Sequence, residues 1–286
     1  MLMMPSGAAK NRKNDKLSDK DFNFIRSLVG QRTGIVLSDL KRDMVYGRLV
    51  RRLRQLGLSS FTDYCNVLKN GNEHELNQLT NAITTNLTSF FREPHHFEFL
   101  SDTLLPELIR HKRDRKLRIW SAGCSSGEEP YSIAMTIKEI VTDSHNWDIR
   151  ILATDIDSNM IVTASSGIYS EDRINGIGQS RLKRWFYRGK GSNEGLVKAS
   201  NELKELISFK QLNLIHEWPM KGPFDFIFCR NVVIYFSKET QKVLFNRFAN
   251  LLDENAHLFI GHSESLYKVC DQFKLFGKTI YQKVFN

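Results

Sequence analysis

Apolar residues recur at helical spacing from residue 18 onward. Phe22, Ile25, Leu28 and Val29 form one stripe, opened by Ser18 and Asp21 in a capping-box-like arrangement and expected to stop at Gly30. A second helix is expected over 38–57, with Val45, Leu49, Leu53 and Leu56 turned inward. At a helical turn of about 100° per residue, Lys41, Arg48 and Arg52 share another face of it, flanked by Arg51. Two shorter helices, near Phe61–Lys69 and over 73–85, complete a small all-helical unit, and nothing strand-like precedes residue 117.

Beyond that point the rhythm becomes strand, loop, helix, repeated. Short apolar runs at 117–121, 149–153 and 224–229 are each followed by a loop and then a helical stretch, and runs at 257–261 and 279–284 end the chain. Such alternation predicts an α/β domain with a mostly parallel sheet covered on both faces. A helical stretch at 180–186 leads into 188–198, where Gly189, Gly191 and Gly195 punctuate two strand-like runs, which reads as an antiparallel β hairpin inserted at about 186–206. The expected organisation is a flexible basic tail (1–17), a helical domain (18–89) and a sheet domain (90–286) containing that insert.

Composition sharpens this picture in three ways. No apolar run approaches the roughly 18 residues needed to cross a bilayer, and the first thirty residues are polar and basic, so the expected compartment is the cytoplasm. Cys65, Cys124, Cys229 and Cys270 lie far apart, without a paired spacing or a nearby His, so neither disulfides nor a zinc site is expected and they read as reduced, mostly buried thiols. The net charge of +9 is concentrated at one end, because residues 1–57 hold 13 Lys or Arg against 5 Asp. A row of that density attracts acidic partners; as residues alone it reads equally as a solvated helix face.

In an open parallel sheet, ligands bind beyond the carboxyl ends of the strands, and three loops there are unusual. The first, residues 121–129, is small and glycine-bearing, yet lacks the glycines of a dinucleotide fingerprint and the lysine of a phosphate loop. Its acids, Glu128 and Glu129, would suit an ammonium or sulfonium better than a polyphosphate. The second, 154–157, ends a strand with Asp155, placed either to accept ribose hydroxyls or to cap the next helix. The third, 229–236, puts Arg230, Asn231 and the Tyr235 phenol after an apolar strand, although Tyr235 reads equally as core. Upstream, 84–93 concentrates Thr, Asn, Ser and Arg where a linker or a helix end is expected.

The segments TTNLTSFFRE (84–93), IWSAGCSSGEEPYS (119–132), ATDID (153–157) and FIFCRNVVIYF (226–236), with KRDMVYGRLVRRLR (41–54), closely resemble the chemotaxis receptor methyltransferases. The resemblance runs from residue 18 to the end. It implies a Rossmann-like fold binding S-adenosylmethionine through Asn86, Thr88, Arg92, Glu129, Asp155, Asn213, Leu214, Arg230 and Asn231, with Asp155 on the ribose. It also implies that Arg92 and Tyr235 stand beside the reacting methyl group, and that Arg48, Arg51 and Arg52 recognise the cytoplasmic region of a transmembrane chemoreceptor. Arg188, Gly189, Gly191, Gly195, Leu196 and Val197 match the subdomain that holds a receptor's C-terminal tethering peptide as an added strand, with Lys190 at a variable position.

The implied reaction gives glutamate methyl esters and S-adenosylhomocysteine. A glutamate is already ionised at neutral pH, so alignment and desolvation suffice, and no metal is expected. The expected state is a monomer that binds no nucleic acid and does not insert into membranes. Two rivals stand beside this reading: a nucleic-acid methyltransferase, prompted by the basic unit, and a catalytically inactive receptor-binding adaptor. Against the first, the loop Arg230-Asn231-Val232-Val233 lacks the prolines used for attack by an exocyclic amine, and the basic face lacks interleaved aromatic residues.

Overall fold

The computed structural model describes residues 16–284, so most of the expected basic tail lies outside the described residues. The chain divides into two compact units, with Thr84 opening the second; Thr33–Ile35 also belongs to the second. That break falls ahead of residue 89, where the helical domain was expected to end.

The first unit contains α1 (Asp19–Thr33), α2 (Arg42–Leu56), α3 (Phe61–Lys69) and α4 (Glu73–Ile83). Helix α1 opens as expected: the Asp21 amide donates to Ser18 Oγ at 3.1 Å and Ser18 Oγ donates back to Asp21 Oδ2 at 2.6 Å. It does not stop at Gly30. A glycine inside a helix costs about 1 kcal/mol relative to alanine, and burial of Phe22, Ile25 and Val29 outweighs it. Helix α2 buries Val45, Leu49 and Leu53 and ends at Gly57 in the left-handed conformation. Leu56, expected inside, shares that face but is the last residue of the helix and is 38% exposed.

The second unit is built on a seven-stranded sheet in the order β6-β2-β1-β7-β8-β10-β9. Its strands are β1 (Lys116–Ala122), β2 (Asp148–Asp155), β6 (Ile207–Gln211), β7 (Phe224–Cys229), β8 (Leu252–Ile260), β9 (Phe273–Gly277) and β10 (Ile280–Lys283). Pairing is parallel from β6 through β8 and antiparallel on both sides of β10. Every residue of β7 is buried, as a central strand covered on both faces requires. Phe226 and Phe228 are fully shielded there, and burial of such a side chain stabilises by about 1.5–3 kcal/mol. The middle of the sheet is therefore the stiff element from which the loops hang.

Helices α5 (His95–Phe99) and α6 (Leu105–His111) lead into β1 with a π-helical turn, Leu100–Leu104, between them. Helices α7 (Glu128–Ile140), α8 (Ser158–Ser166), α9 (Gln179–Trp185), α10 (Asn201–Lys204) and α11 (Lys238–Leu251) follow. No helix among the described residues is long and apolar enough to cross a membrane.

The expected inserted hairpin is instead a three-stranded antiparallel sheet, β3-β5-β4, formed by β3 (Ile168–Ser170), β4 (Phe186–Arg188) and β5 (Leu196–Ala199). The insert thus begins before residue 186. A three-residue strand has too few positions to display alternation, which hid β3 from the hydrophobic pattern.

Candidate active site

Strand order reverses beside β1, whose neighbours are β2 on one side and β7 on the other. Loops leaving the carboxyl ends of β1, β2, β7 and β8 therefore border one crevice, the usual ligand position in such a sheet.

The loop after β1 is tied to β2 by the Gly123 and Cys124 amides, which donate to the Thr154 carbonyl at 2.8 and 2.9 Å. Gly123 has φ +85°, and a Cβ there would stand 2.3 Å from Val232 Cγ2. Only glycine lets the loops after β1 and β7 touch in this way. Next, the Ser125 amide donates to Asp155 Oδ2 at 2.8 Å and the Asp157 amide to Asp155 Oδ1 at 2.9 Å. Asp155 is 8% exposed, and burial outweighs these amides, pushing its carboxyl up to about 6. The helix cap is Asp157: its Oδ1 accepts from the Asn159 amide at 2.9 Å, which frees Asp155 from that role.

Asn86 joins the same corner. Its Nδ2 donates to Asp157 Oδ2 at 2.8 Å, and its carbonyl accepts from Ser125 Oγ at 2.9 Å. Thr84 Oγ1 donates to the same Asp157 oxygen at 2.9 Å. Asn213 and Leu214 follow β6, where the Leu212 amide donates to the Asp155 carbonyl at 2.9 Å. Asn213 Oδ1 accepts from the Ile215 amide, and Leu214 is buried. Thr88 is half-buried in the segment between Asn86 and Arg92.

A second cluster surrounds Arg230, whose side chain is 2% exposed. Its Nη1 donates to Glu129 Oε2 at 3.1 Å, and its Nη2 lies 3.4 Å from Glu93 Oε2 and donates to the Arg92 carbonyl. Ser121 Oγ donates to the other Glu129 oxygen at 2.7 Å, yet burial still pushes that carboxyl up. Glu93 goes the other way. Burial raises it too, but His262, which donates at 2.8 Å, and Arg230 outweigh this and hold it at about 2.

Both acids expected to suit a cationic ligand are engaged within the chain. Glu129 is neutralised by Arg230, and the fully buried Glu128 accepts from Arg173 Nε at 3.0 Å and Ser126 Oγ at 2.7 Å. The same loop is braced by Tyr169, whose hydroxyl donates to the Ser126 carbonyl at 2.9 Å. Glu93, His95 and His96 also lie close enough to share an ion. Arg230 already supplies the positive charge at Glu93, and His96 Nε2 pairs with Thr279 Oγ1 at 2.9 Å while burial pushes the ring down to about 3. This cluster reads as an internal ion-pair network.

Arg92 and Tyr235, expected at the reacting group, are both half-buried. Arg92 Nη1 donates to the Leu87 carbonyl at 2.9 Å, so its guanidinium folds back on its own segment. Tyr235 ends a 3₁₀ turn, Val233–Tyr235, in the loop after β7. Asn231, in the same loop, has φ +58°, a conformation that asparagine tolerates. Glu264 was missed by sequence reasoning, although it follows a strand end as the other loops do. Its carboxylate accepts the amides of Asn231, Val232 and Val233 at 3.0, 2.9 and 2.9 Å.

In the helical unit, the three expected recognition arginines differ. Arg48 Nη1 donates to the Ile83 carbonyl at 2.6 Å, capping the end of α4. Arg52 grips the buried Glu75, with Nε 2.8 Å from Oε1 and Nη2 2.5 Å from Oε2. Arg51 is exposed, as is Arg54, one turn further on.

In the small sheet, Leu196 and Val197 lie on β5, the middle strand, so both of its edges are already paired. Arg188 lies on the edge strand β4, and Glu171 Oε1 is 3.6 Å from its Nε. Gly189 begins the β4–β5 turn, where a Cβ would meet the Asn193 carbonyl oxygen at 2.0 Å; Gly191 and Gly195 adopt positive φ in that turn.

A buried acid fixed at the end of the second sheet strand, a small-residue loop at the switch in strand order and no phosphate-binding lysine define an S-adenosylmethionine-dependent methyltransferase of the Rossmann-like class. Residues 20–84 match the CheR methyltransferase all-alpha domain, and residues 86–282 match the CheR methyltransferase SAM binding domain. The chain belongs to the CheR methyltransferase family. It is 46% identical over 269 residues to the chemotaxis protein methyltransferase of Escherichia coli (strain K12), covering 93% of this chain and 91% of that one. Against the Salmonella typhimurium (strain LT2) protein of the same name it is 46% identical over 270 residues, covering 93% and 90%. Against chemotaxis protein methyltransferase 2 of Pseudomonas aeruginosa the identity is 43% over 264 residues, covering 92% of each chain.

Proposed function

We propose that this enzyme methylates glutamate side chains of chemotaxis receptors in the cytoplasm, using S-adenosylmethionine. A glutamate oxygen attacks the methyl carbon, the carbon–sulfur bond breaks, and its electron pair stays on sulfur, giving the methyl ester and S-adenosylhomocysteine. The observation that carries this reading is Asp155. A carboxylate pinned by two backbone amides beside a glycine loop is preorganised to accept hydrogen bonds from a ribose.

Within this reading, Asn86, Thr88, Glu129, Asn213, Leu214, Arg230 and Asn231 shape the donor pocket, several of them through the pairings described above. Tyr235 and Arg92 align the receptor carboxylate with the methyl group, Arg92 after releasing the Leu87 carbonyl. Arg51 contacts the acidic receptor helix directly. Arg48 and Arg52 act mainly by holding the helix that presents it.

A receptor's C-terminal peptide would add along β4. The Gly189 amide donates inward to Leu196, and the Trp185 carbonyl accepts from Ser200, both at 2.8 Å. By alternation, Phe186 and Arg188 turn their backbone groups to the open edge. The working state in this reading is a monomer.

Calorimetry with S-adenosylhomocysteine, followed by transfer of labelled methyl groups to receptor membranes, tests the proposal. Micromolar binding and base-labile methyl esters are expected, with Tyr235→Phe and Arg92→Ala each slowing turnover. Binding without transfer would make the protein an inactive adaptor. Transfer to nucleic acid in place of receptor would sink the reading altogether.

A further inference from the structure

The loop that carries Arg230, Asn231 and Tyr235 has little regular structure to hold it: a short 3₁₀ turn, Val233–Tyr235, and a single β-bridge from Phe236 to Ile35, with Gln241 Nε2 donating to the Val233 and Phe236 carbonyls at 2.9 and 3.1 Å. Its backbone amides converge instead on Glu264, which comes from the loop after β8. Oε1 accepts from the amides of Val232 and Val233 at 2.9 Å each, with Ile234 more distant at 3.4 Å. Oε2 accepts from Asn231 at 3.0 Å and from Gly261 at 2.6 Å.

Glu264 is 7% exposed, and these partners are all backbone amides. It is an anion seated in a nest of amides, the arrangement many proteins use to bind a phosphate, here filled by the chain itself. Around it the two loops are in contact, because a Cβ on Gly261 would stand 2.3 Å from Asn231 Nδ2. No apolar side chain could replace it, since the converging amides would be left without acceptors at about 1–3 kcal/mol each.

We propose that Glu264 is a positioning residue for methyl transfer: its carboxylate folds the loop after β7 so that Asn231 faces the donor and Tyr235 faces the reacting methyl. This rests on the roles given to those two residues above. Glu264 itself touches neither reactant. A carboxylate is required because both oxygens must accept at once, and a glutamine has one acceptor and turns an NH₂ group toward donors.

The test is Glu264→Gln in the full chain, alone and combined with Tyr235→Phe. Hydrogen exchange at 231–234, S-adenosylhomocysteine affinity and turnover on receptor membranes are measured after thermal melting confirms the fold. Exchange there should accelerate about tenfold or more, with turnover and affinity each falling by about tenfold. Tyr235→Phe, harmful alone, should cost less than about twofold in the Glu264→Gln background, because a misplaced phenol has little left to lose.

Wild-type exchange in the Glu264→Gln variant would bring down the clamp alone. Equal fold-losses from Tyr235→Phe in both backgrounds would reduce Glu264 to a purely structural part and overturn the proposal. Harmless Tyr235→Phe and Asn231→Ala would instead overturn the roles on which it rests, and the positioning with them. If the Glu264→Gln variant melts too early, Glu264→Asp, which keeps the charge and withdraws it by one methylene, carries the same comparison.

Discussion

Arginine does different work in the two units. In the helical unit, α2 carries a row of arginines of which Arg51 and Arg54 are exposed, while Arg48 and Arg52 are tied to the ends and sides of their own bundle. In the sheet unit, Arg230 is sunk between Glu93 and Glu129 with 2% of its side chain exposed. The contrast teaches that a basic residue is available to a partner only if its own chain has not already supplied one. The same side chain on the same helix can be contact or scaffold, depending on whether the chain places an acceptor beneath it, a carbonyl for Arg48 and a carboxylate for Arg52.

The sharpest way to break the contrast is Arg230→Met. It leaves two buried carboxylates without their shared cation, and removal of one partner from a buried pair costs about 3–5 kcal/mol. Denaturant melting should show that loss, and calorimetry should show donor binding abolished; a stable variant that binds normally would contradict the assignment. Arg52→Ala comes next, because Glu75 is only 2% exposed and loses its bidentate partner. About 2–3 kcal/mol should disappear from stability. Replacing Glu75 by Leu in the same chain should restore part of it.

A pH series sharpens the comparison from the acid side. Asp155 is raised to about 6, so it is increasingly protonated as pH falls through that value and would lose the capacity to accept from both hydroxyls of a ribose, the role proposed for it. S-adenosylhomocysteine affinity should therefore weaken below about pH 6, approaching tenfold per unit. Flat affinity between pH 5 and 7, about one unit either side, would remove Asp155 from the ribose. The smallest effect on stability belongs to Arg51→Glu and Arg54→Glu, which should shift melting by no more than about 0.5 kcal/mol. Receptor methylation should nonetheless fall in a salt-dependent manner, with donor affinity unchanged.

The helical unit was largely legible because its apolar residues sit at helical spacing over whole turns, as Val45, Leu49 and Leu53 show. Strands β1, β2 and β7 were legible as short apolar runs. Strand β6, with the sequence Ile-Ser-Phe-Lys-Gln, was not: it lies at a sheet edge and is mostly open to solvent, so its polar residues masked it. Strand β9, at the other edge, escaped for a different reason: Phe-Lys-Leu-Phe-Gly is a short run in which apolar Leu275 and Phe276 are exposed, so its residues show no alternation of buried apolar and exposed polar positions. Within the candidate site, the position of Asp155 at the end of β2 was legible because strand ends are privileged positions. The pairing of Glu129 with Arg230 was not, since 101 positions separate them and only the sheet brings them together. Nor could a sequence reveal that Arg52 is engaged by Glu75, as a cation looks the same whether or not it is matched.

Tyr169 and Arg173 reach out of the small antiparallel sheet and its flanking turn to grip Ser126 and Glu128 from behind. The insert is thus a buttress as well as an appendage. Excising it to make a minimal catalyst would strand Glu128 without its counter-ion and let the glycine-bearing bend sag. Grafting a foreign insert in its place would have to reproduce both grips before any other property was in question.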